Sequence, residues 1–298
     1  MTRLAAGALS LELRPELGGA VGAFRLARAD GPFDLMRPLS VPAGRASDAL
    51  YAGMFPMLPF ANCIRDNRFG FAGRDYAVKP NMAGARLNYH GSGWQSPWSV
   101  ARADERSAEL LLTAGRVDDV YAFEGRQVFT LDADGLTVET EVTNRGERTM
   151  PFSFGQHPWF PTRGRVLTRF TATRFWHEDE AGHADRLLPI LLDADFTALR
   201  APPSEYRNVC YAGWERRAEI VWPDAGVLLD LSADPVFGHL MFHVPPGGQP
   251  VFCLEPQSNA PCGFDGLEQG RIAAGVHILA PGASVAGTLR FSVRTNPN

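Results

Sequence analysis

The sequence predicts an all-β fold, a large antiparallel β-sandwich with few short helices. Three observations predict it. Apolar and polar residues alternate with period two over most of the chain, the pattern of a half-buried strand. Turn residues punctuate those runs: the 30 glycines and 23 prolines are spread along the chain rather than pooled in a linker. Apolar spacing sustains no helix beyond about two or three turns.

Taken in order, "LSLEL" near the N-terminus alternates as a strand should, and Glu12 interrupts its apolar character. It reads as a strand rather than as an export signal. "RFGFAGRDYAV" reads as a short hairpin. "RQVFTLDADGLTVETEVTNRGE" is the clearest case. Leu136, Val138, Thr140 and Val142 fall on one face, Thr137, Glu139, Glu141 and Thr143 on the other, and Asp134-Gly135 marks the turn before them. "AEIVWPDAGVLLDLS" and "ASVAGTLRFSV" repeat the design. "EDEAGHADRLLPILL" is the best helical candidate by spacing. No repeat of fixed period appears, so a propeller is not expected. One domain over residues 1–298 is the simplest partition, a broad sandwich with a concave face.

Composition narrows the function classes. With 45% hydrophobic and 21% charged residues, the chain is globular rather than disordered. A net charge of −4 and the lack of a basic run argue against nucleic acid as a partner. No stretch approaches the roughly 18 apolar residues that span a bilayer, so no membrane role is expected. Cys63, Cys210, Cys253 and Cys262 form neither a CxxC pair nor a disulfide framework and read as reduced thiols of a cytoplasmic protein. Composition leaves the oligomeric state open, a homodimer being one of the assemblies it allows.

Three segments place chemistry-bearing residues in unusual company. "FSFGQHPWFP" sets His157 between an aromatic run and a Pro-Trp-Phe-Pro cluster. Pro158 and Pro161 restrict the backbone, and Trp159 offers a flat apolar face of the kind that packs on a sugar ring. "NYHGSGWQSPW" follows His90 with Gly91 and Gly93, which allow close backbone approach, and then Trp94. "VFCLEPQSN" carries Glu255 at the end of an apolar strand, where a carboxylate is costly unless paired or used. Each residue alone is as readily structural: a core histidine, a turn histidine, a strand-end glutamate.

Together, in this order, "NYHGSGW", "GQHPWF" and "FCLEPQSN…GFD" resemble the aldose 1-epimerase, or galactose mutarotase, family. "LRPELGGAVGAFRL", "FANCIRDNRFGFAGRDYAV", "NVCYAGW" and "GVHILAPGASVAGTLRFSV" are similar to its framing segments, so the resemblance covers nearly the whole chain. It implies a galactose-mutarotase-like β-sandwich and interconversion of the α and β anomers of a monosaccharide, with no cofactor and no metal. It implies His157 as general acid, Glu255 as general base and His90 as a charge-stabilising sugar contact, with Asn62, Trp94 and Trp159 beside them. The sequence departs from the family at two contacts. Where the family has Asn-Arg-Ile, this chain has Asn62-Cys63-Ile64. In a strand, Arg65 would share the face of Cys63 and could partly replace the missing arginine. The family's sugar-binding aspartate falls at Asn208, which keeps an acceptor without the charge.

The chemistry suits these residue types independently. Opening a hemiacetal takes a proton from the C1 hydroxyl and delivers one to the ring oxygen; closure on the other face reverses the roles. A carboxylate and an imidazole can do both. With one sugar ring between them, the mechanism puts His157 and Glu255 several ångströms apart across an open pocket walled by Trp159 or Trp94, His90 pointing inward. Three rivals remain: a noncatalytic carbohydrate-binding protein on the same fold, a metal site of His90, His157 and Glu255, and a glycoside hydrolase using Glu255 with Asp234 or Asp265. His239 and His243 read as structural or rim residues; His177, His183 and His277 read as surface or loop positions.

Overall fold

The computed structural model describes residues 1–41, 48–179, 183–261, 263–271, 273 and 275–295. Cys262 lies outside them. Antiparallel strands dominate, and the helical pieces among the described residues are single 3₁₀ turns. The all-β expectation therefore holds.

Two eight-stranded sheets make the bulk of the sandwich. The back sheet runs, in spatial order, through strands Leu167–Phe170, Arg217–Trp222, Val227–Ala233, Ser284–Thr295, Gly135–Asn144, Tyr121–Asp132, Ser107–Val117 and Ser99–Ala103. Its longest hairpin turns at Asp134-Gly135, as the turn signal predicts, with Asp132 opposite Gly135. Leu136, Val138, Thr140 and Val142 are buried there, so the period-two reading gave the correct face.

The front sheet contains strands Ala184–Pro189, Arg174–Glu178, Arg207–Ala212, His239–Val244, Val251–Gln257, Gly155–Gln156 and Pro56–Met57, and Trp159–Pro161 also pairs with Val251–Gln257. The helical expectation for "EDEAGHADRLLPILL" fails in its described part. Ala184–Pro189 is a strand laddered to Arg174–Glu178, with Leu187 opposite Trp176 and Leu188 opposite Phe175. Tertiary pairing overrides the weak local spacing; residues 180–182 lie outside the described set.

Alternation within the front sheet decides where function can sit. Leu240, Phe242, Val244, Phe252 and Leu254 join the main core, together with Ile220, Leu229, Leu231 and Phe291 of the back sheet. Phe170 of the back sheet reaches Phe242 and Tyr211 of the front sheet, with ring centroids 6.2 and 4.8 Å away. The intervening residues Met241, His243, Cys253 and Glu255 therefore face away from that core. Register lines them up. Asn208 lies opposite His243, His243 opposite Cys253, and Cys253 opposite Trp159, a row across four strands. Met241 and Glu255 face each other in the next row.

Candidate active site

A cavity of about 280 Å³ opens over that face, lined by Asn62, Tyr89, His90, Trp94, His157, Trp159, Tyr206, Asn208, Met241, His243 and Glu255 with Leu50 and Met82. It lies near the lower end of the roughly 300–1,000 Å³ usual for small-molecule sites. Seven of the eight residues singled out from the sequence line this one cavity.

Arg65 does not. It begins a 3₁₀ turn, Arg65–Asn67, in which Asp66 has φ 49°, so the strand alternation that aimed it at the sugar does not apply. Its Nε donates to Asp265 at 2.6 Å and a second guanidinium nitrogen donates to the Ala184 carbonyl at 2.8 Å. The same bond holds Asp265 away from the cavity lining, and Asp234 caps the Thr288 amide. Neither supplies a carboxylate opposite Glu255.

His157 is positioned by two neighbouring segments. Gly155 pairs with Gln257 and Trp159 with Cys253; carried through, that register puts His157 opposite Glu255. On its other side the His157 amide donates to the Phe55 carbonyl at 2.9 Å. The imidazole stacks on Trp159, centroids 4.9 Å apart and planes 16° from parallel, and Arg37 lies over the Trp159 ring at 4.1 Å. At least one face of Trp159 is thus used by the protein rather than offered to a ligand.

His157 Nε2 lies 3.2 Å from Glu255 Oε1. The gap of several ångströms expected from the mechanism is absent. Cross-strand opposition brings the side chains together, and the chemistry tolerates it: the ring oxygen and the C1 hydroxyl oxygen share one carbon, so acid and base can address both from one side. Both groups are buried. Burial pushes the Glu255 carboxyl well above the usual carboxylate range. Burial, and then the charges that His90, His243 and Arg37 would set against an imidazolium, push His157 well below the usual imidazole value. Each isolated charge is disfavoured, so near neutrality the pair holds one proton between its two members.

His90 is held by a reciprocal clamp. Its amide donates to the Asn62 carbonyl at 2.7 Å, and the Asn62 amide donates to His90 Nδ1 at 3.1 Å. Both residues have positive φ, 63° and 60°. Because a backbone amide can only donate, Nδ1 is bare and the neutral ring carries its hydrogen on Nε2. Burial, then the His243 charge, lowers His90 to about 3. Gly91 has φ +63°, and a Cβ there would meet the Leu58 carbonyl oxygen and Pro59 Cδ, each at 2.4 Å. Only glycine fits beneath this histidine.

Two participants escaped the sequence reading. His239 is structural, its Nδ1 2.9 Å from the Ser258 carbonyl oxygen, but His243 lines the cavity. The signal was present: with Leu240, Phe242 and Val244 on the core face, His243 must face outward beside the Glu255 strand. Asn208 Nδ2 donates to Glu178 Oε1 at 2.6 Å, and its Oδ1 lies 3.1 Å from His243 Nδ1. Burial raises Glu178 to about 7 although Asn208 opposes the shift. His183, expected at a surface or loop position, lies outside the strands but is buried.

A metal would find a different donor set from the one weighed above. His157, Cys253 and Glu255 bring one ligand atom each within 4.8 Å of the others, a nitrogen, sulfur and oxygen set of zinc type. Cys253 is fully buried, and burial followed by the Glu255 charge keeps its thiol well above the ordinary value. Metal binding there would have to strip that proton.

Residues 4–292 match the sequence profile of the family described as aldose 1-epimerase. The chain belongs to the aldose 1-epimerase family. An uncharacterized Escherichia coli K12 protein, YphB, is 34% identical over 266 residues, covering 86% of this chain and 89% of that one. Among solved structures, a protein of the same organism provisionally described as an aldose 1-epimerase superposes with a TM-score of 0.88 at 30% identity, over 99% of this chain and 98% of that one. A galactose mutarotase-like protein from Clostridium acetobutylicum gives 0.81 at 17% identity, over 99% and 95%, which supports the fold alone. No described helix is long and apolar enough to cross a membrane.

Proposed function

We propose that this chain is an aldose 1-epimerase in activity as well as family, converting the α and β anomers of a monosaccharide by acid–base ring opening. The observation that carries the reading is the His157–Glu255 pair, 3.2 Å apart on the wall of a sugar-sized cavity. With the shared proton on His157, the ionised Glu255 takes the C1 hydroxyl proton while His157 delivers its proton to the ring oxygen. The C1–O5 bond breaks, the open aldehyde turns about C1–C2, and closure returns both protons. The pair begins and ends with the same single proton, so no net charge is buried at any step, and the two positioned transfers contribute roughly 10²–10⁴-fold each. His90, through its Nε2 hydrogen, stabilises charge that develops on the sugar oxygens. Asn62, Trp94 and Asn208 shape the same wall. A cytoplasmic setting belongs to the proposal, since Cys210 and Cys253 are buried free thiols and suit a reducing compartment.

The test is anomer exchange, followed by polarimetry or NMR, over a panel of hexoses, pentoses and uronic acids. Acceleration of at least one sugar is expected. Tight sugar binding with no acceleration would leave a carbohydrate-binding protein in its place.

A further inference from the structure

The cavity contains a second imidazole whose hydrogen can be placed. Asn208 sits between Glu178, 2.6 Å from its Nδ2, and His243, whose Nδ1 is 3.1 Å from its Oδ1. An ionised carboxylate only accepts, so the Asn208 NH₂ must face Glu178 and its carbonyl must face His243. His243 Nδ1 then carries the hydrogen. Burial lowers His243 to about 4, so the ring is neutral and Nε2 is bare. No bond from Nε2 to protein occurs among the described residues, and the ring borders the cavity. His90 is the opposite tautomer, with Nδ1 occupied by the Asn62 amide and its hydrogen on Nε2.

We propose that His243 is a specificity-determining residue for the sugar, its bare Nε2 accepting a hydrogen bond from one substrate hydroxyl while Asn208 and Glu178 hold it in that tautomer. The inference rests on the epimerase reading for its ligand class, a monosaccharide. It assigns complementary tasks to two histidines: His90 donates and His243 accepts. It also accounts for Asn208, whose carbonyl is committed to His243. The acceptor that the family's aspartate would supply passes one strand along to an imidazole. A sugar lacking the engaged hydroxyl leaves a partly buried acceptor unpaired, which is how such sites discriminate.

The experiment uses the full chain with ¹⁵N-labelled histidine at pH 8, where Glu178 is ionised. In the free protein, His243 should show a hydrogen on Nδ1 and a bare Nε2, and His90 the reverse. Asn208→Leu should release His243 into a mixture of tautomers. D-glucose, D-galactose, D-xylose and the monodeoxy derivatives of the two hexoses are then titrated in. The bare Nε2 resonance should move upfield with a sugar that binds and stay put with the derivative that lacks the engaged hydroxyl. In anomer exchange, His243→Phe should raise KM about tenfold, the scale of one neutral hydrogen bond, with kcat changed less than threefold, and His243→Gln should recover part of the loss. A hydrogen on Nε2 in the free protein, or an Nε2 resonance that no sugar moves, overturns the proposal. Exchange that proceeds with that resonance silent leaves the epimerase reading intact; a moving resonance without exchange does the reverse.

Discussion

His90→Asn should make the protein less sensitive to acid, and the size of the effect can be worked out. Asparagine keeps an acceptor where Nδ1 meets the Asn62 amide and tolerates positive φ, so the clamp survives while the titratable group goes. In the folded protein His90 titrates at about 3; in the unfolded chain it titrates near 6.5. The folded value is the lower one, so stability is present in full above about 6.5 and lost as the pH falls through it. At pH 5, about 1.5 pH units below the unfolded value, the unfolded imidazole is protonated and the folded one is not, a difference of about 2 kcal/mol. His157, His239, His243 and His277, also lowered, add losses of the same sign, while the raised Glu178 and Glu255 act oppositely. All six are common to both proteins and cancel in the comparison. Urea unfolding at pH 8 and pH 5 is the assay. Wild type should lose about 2 kcal/mol more than the variant between the two. An equal loss in both proteins would show that His90 is free to protonate in the folded state, and the clamp geometry would be wrong.

The remaining predictions concern the pair and the loop. Glu255→Gln and His157→Asn should each slow anomer exchange by at least about 100-fold with smaller effects on sugar binding; near-normal turnover in either sinks the assignment. The kcat profile, which Glu178 at about 7 leaves alone because it acts through His243 on KM, should have its acid limb below the ordinary imidazole value and its alkaline limb above the ordinary carboxylate value. A sigmoid centred near 6.5 would mean that an unperturbed histidine governs the rate. Gly91→Ala should destabilise by more than the roughly 1–2 kcal/mol of a left-handed non-glycine residue, since its Cβ also meets the Leu58 carbonyl oxygen; a melting temperature within 2 °C of wild type contradicts that contact.

The strands were legible in the sequence because each needs only local alternation. The site was legible in part for the same reason: His157, His90 and Glu255 sit in compositionally odd segments. Their separation was not, because it depends on register. Nothing in "GQHPWF" says that it pairs with "FCLEPQ" so that residue 157 meets residue 255. Arg65 was misplaced because three residues of its loop, Asn62, Asp66 and Asn67, adopt positive φ and break the period of two. His243 was passed over as one of two histidines four apart, although the apolar residues between and after them already marked its face. Glu178 could not be reached at all. Its link to Asn208 needs the pairing of Arg174–Glu178 with Arg207–Ala212, a contact between segments some thirty positions apart.

The row of residues across the front sheet has a consequence for how such a protein can change over generations. The proton-bearing pair is anchored by main-chain pairing of Val251–Gln257 with its neighbours. The two cavity histidines hang on supports of their own: Asn62 for His90, Asn208 and Glu178 for His243. Replacing His243 or its support leaves the pairing behind the pair untouched. Under the proposed roles, a lineage can therefore exchange one sugar for another by drifting at positions such as 208 and 243 while the proton-transfer pair stays fixed. The departures at Cys63 and Asn208 are the kind of change that this division of labour lets accumulate.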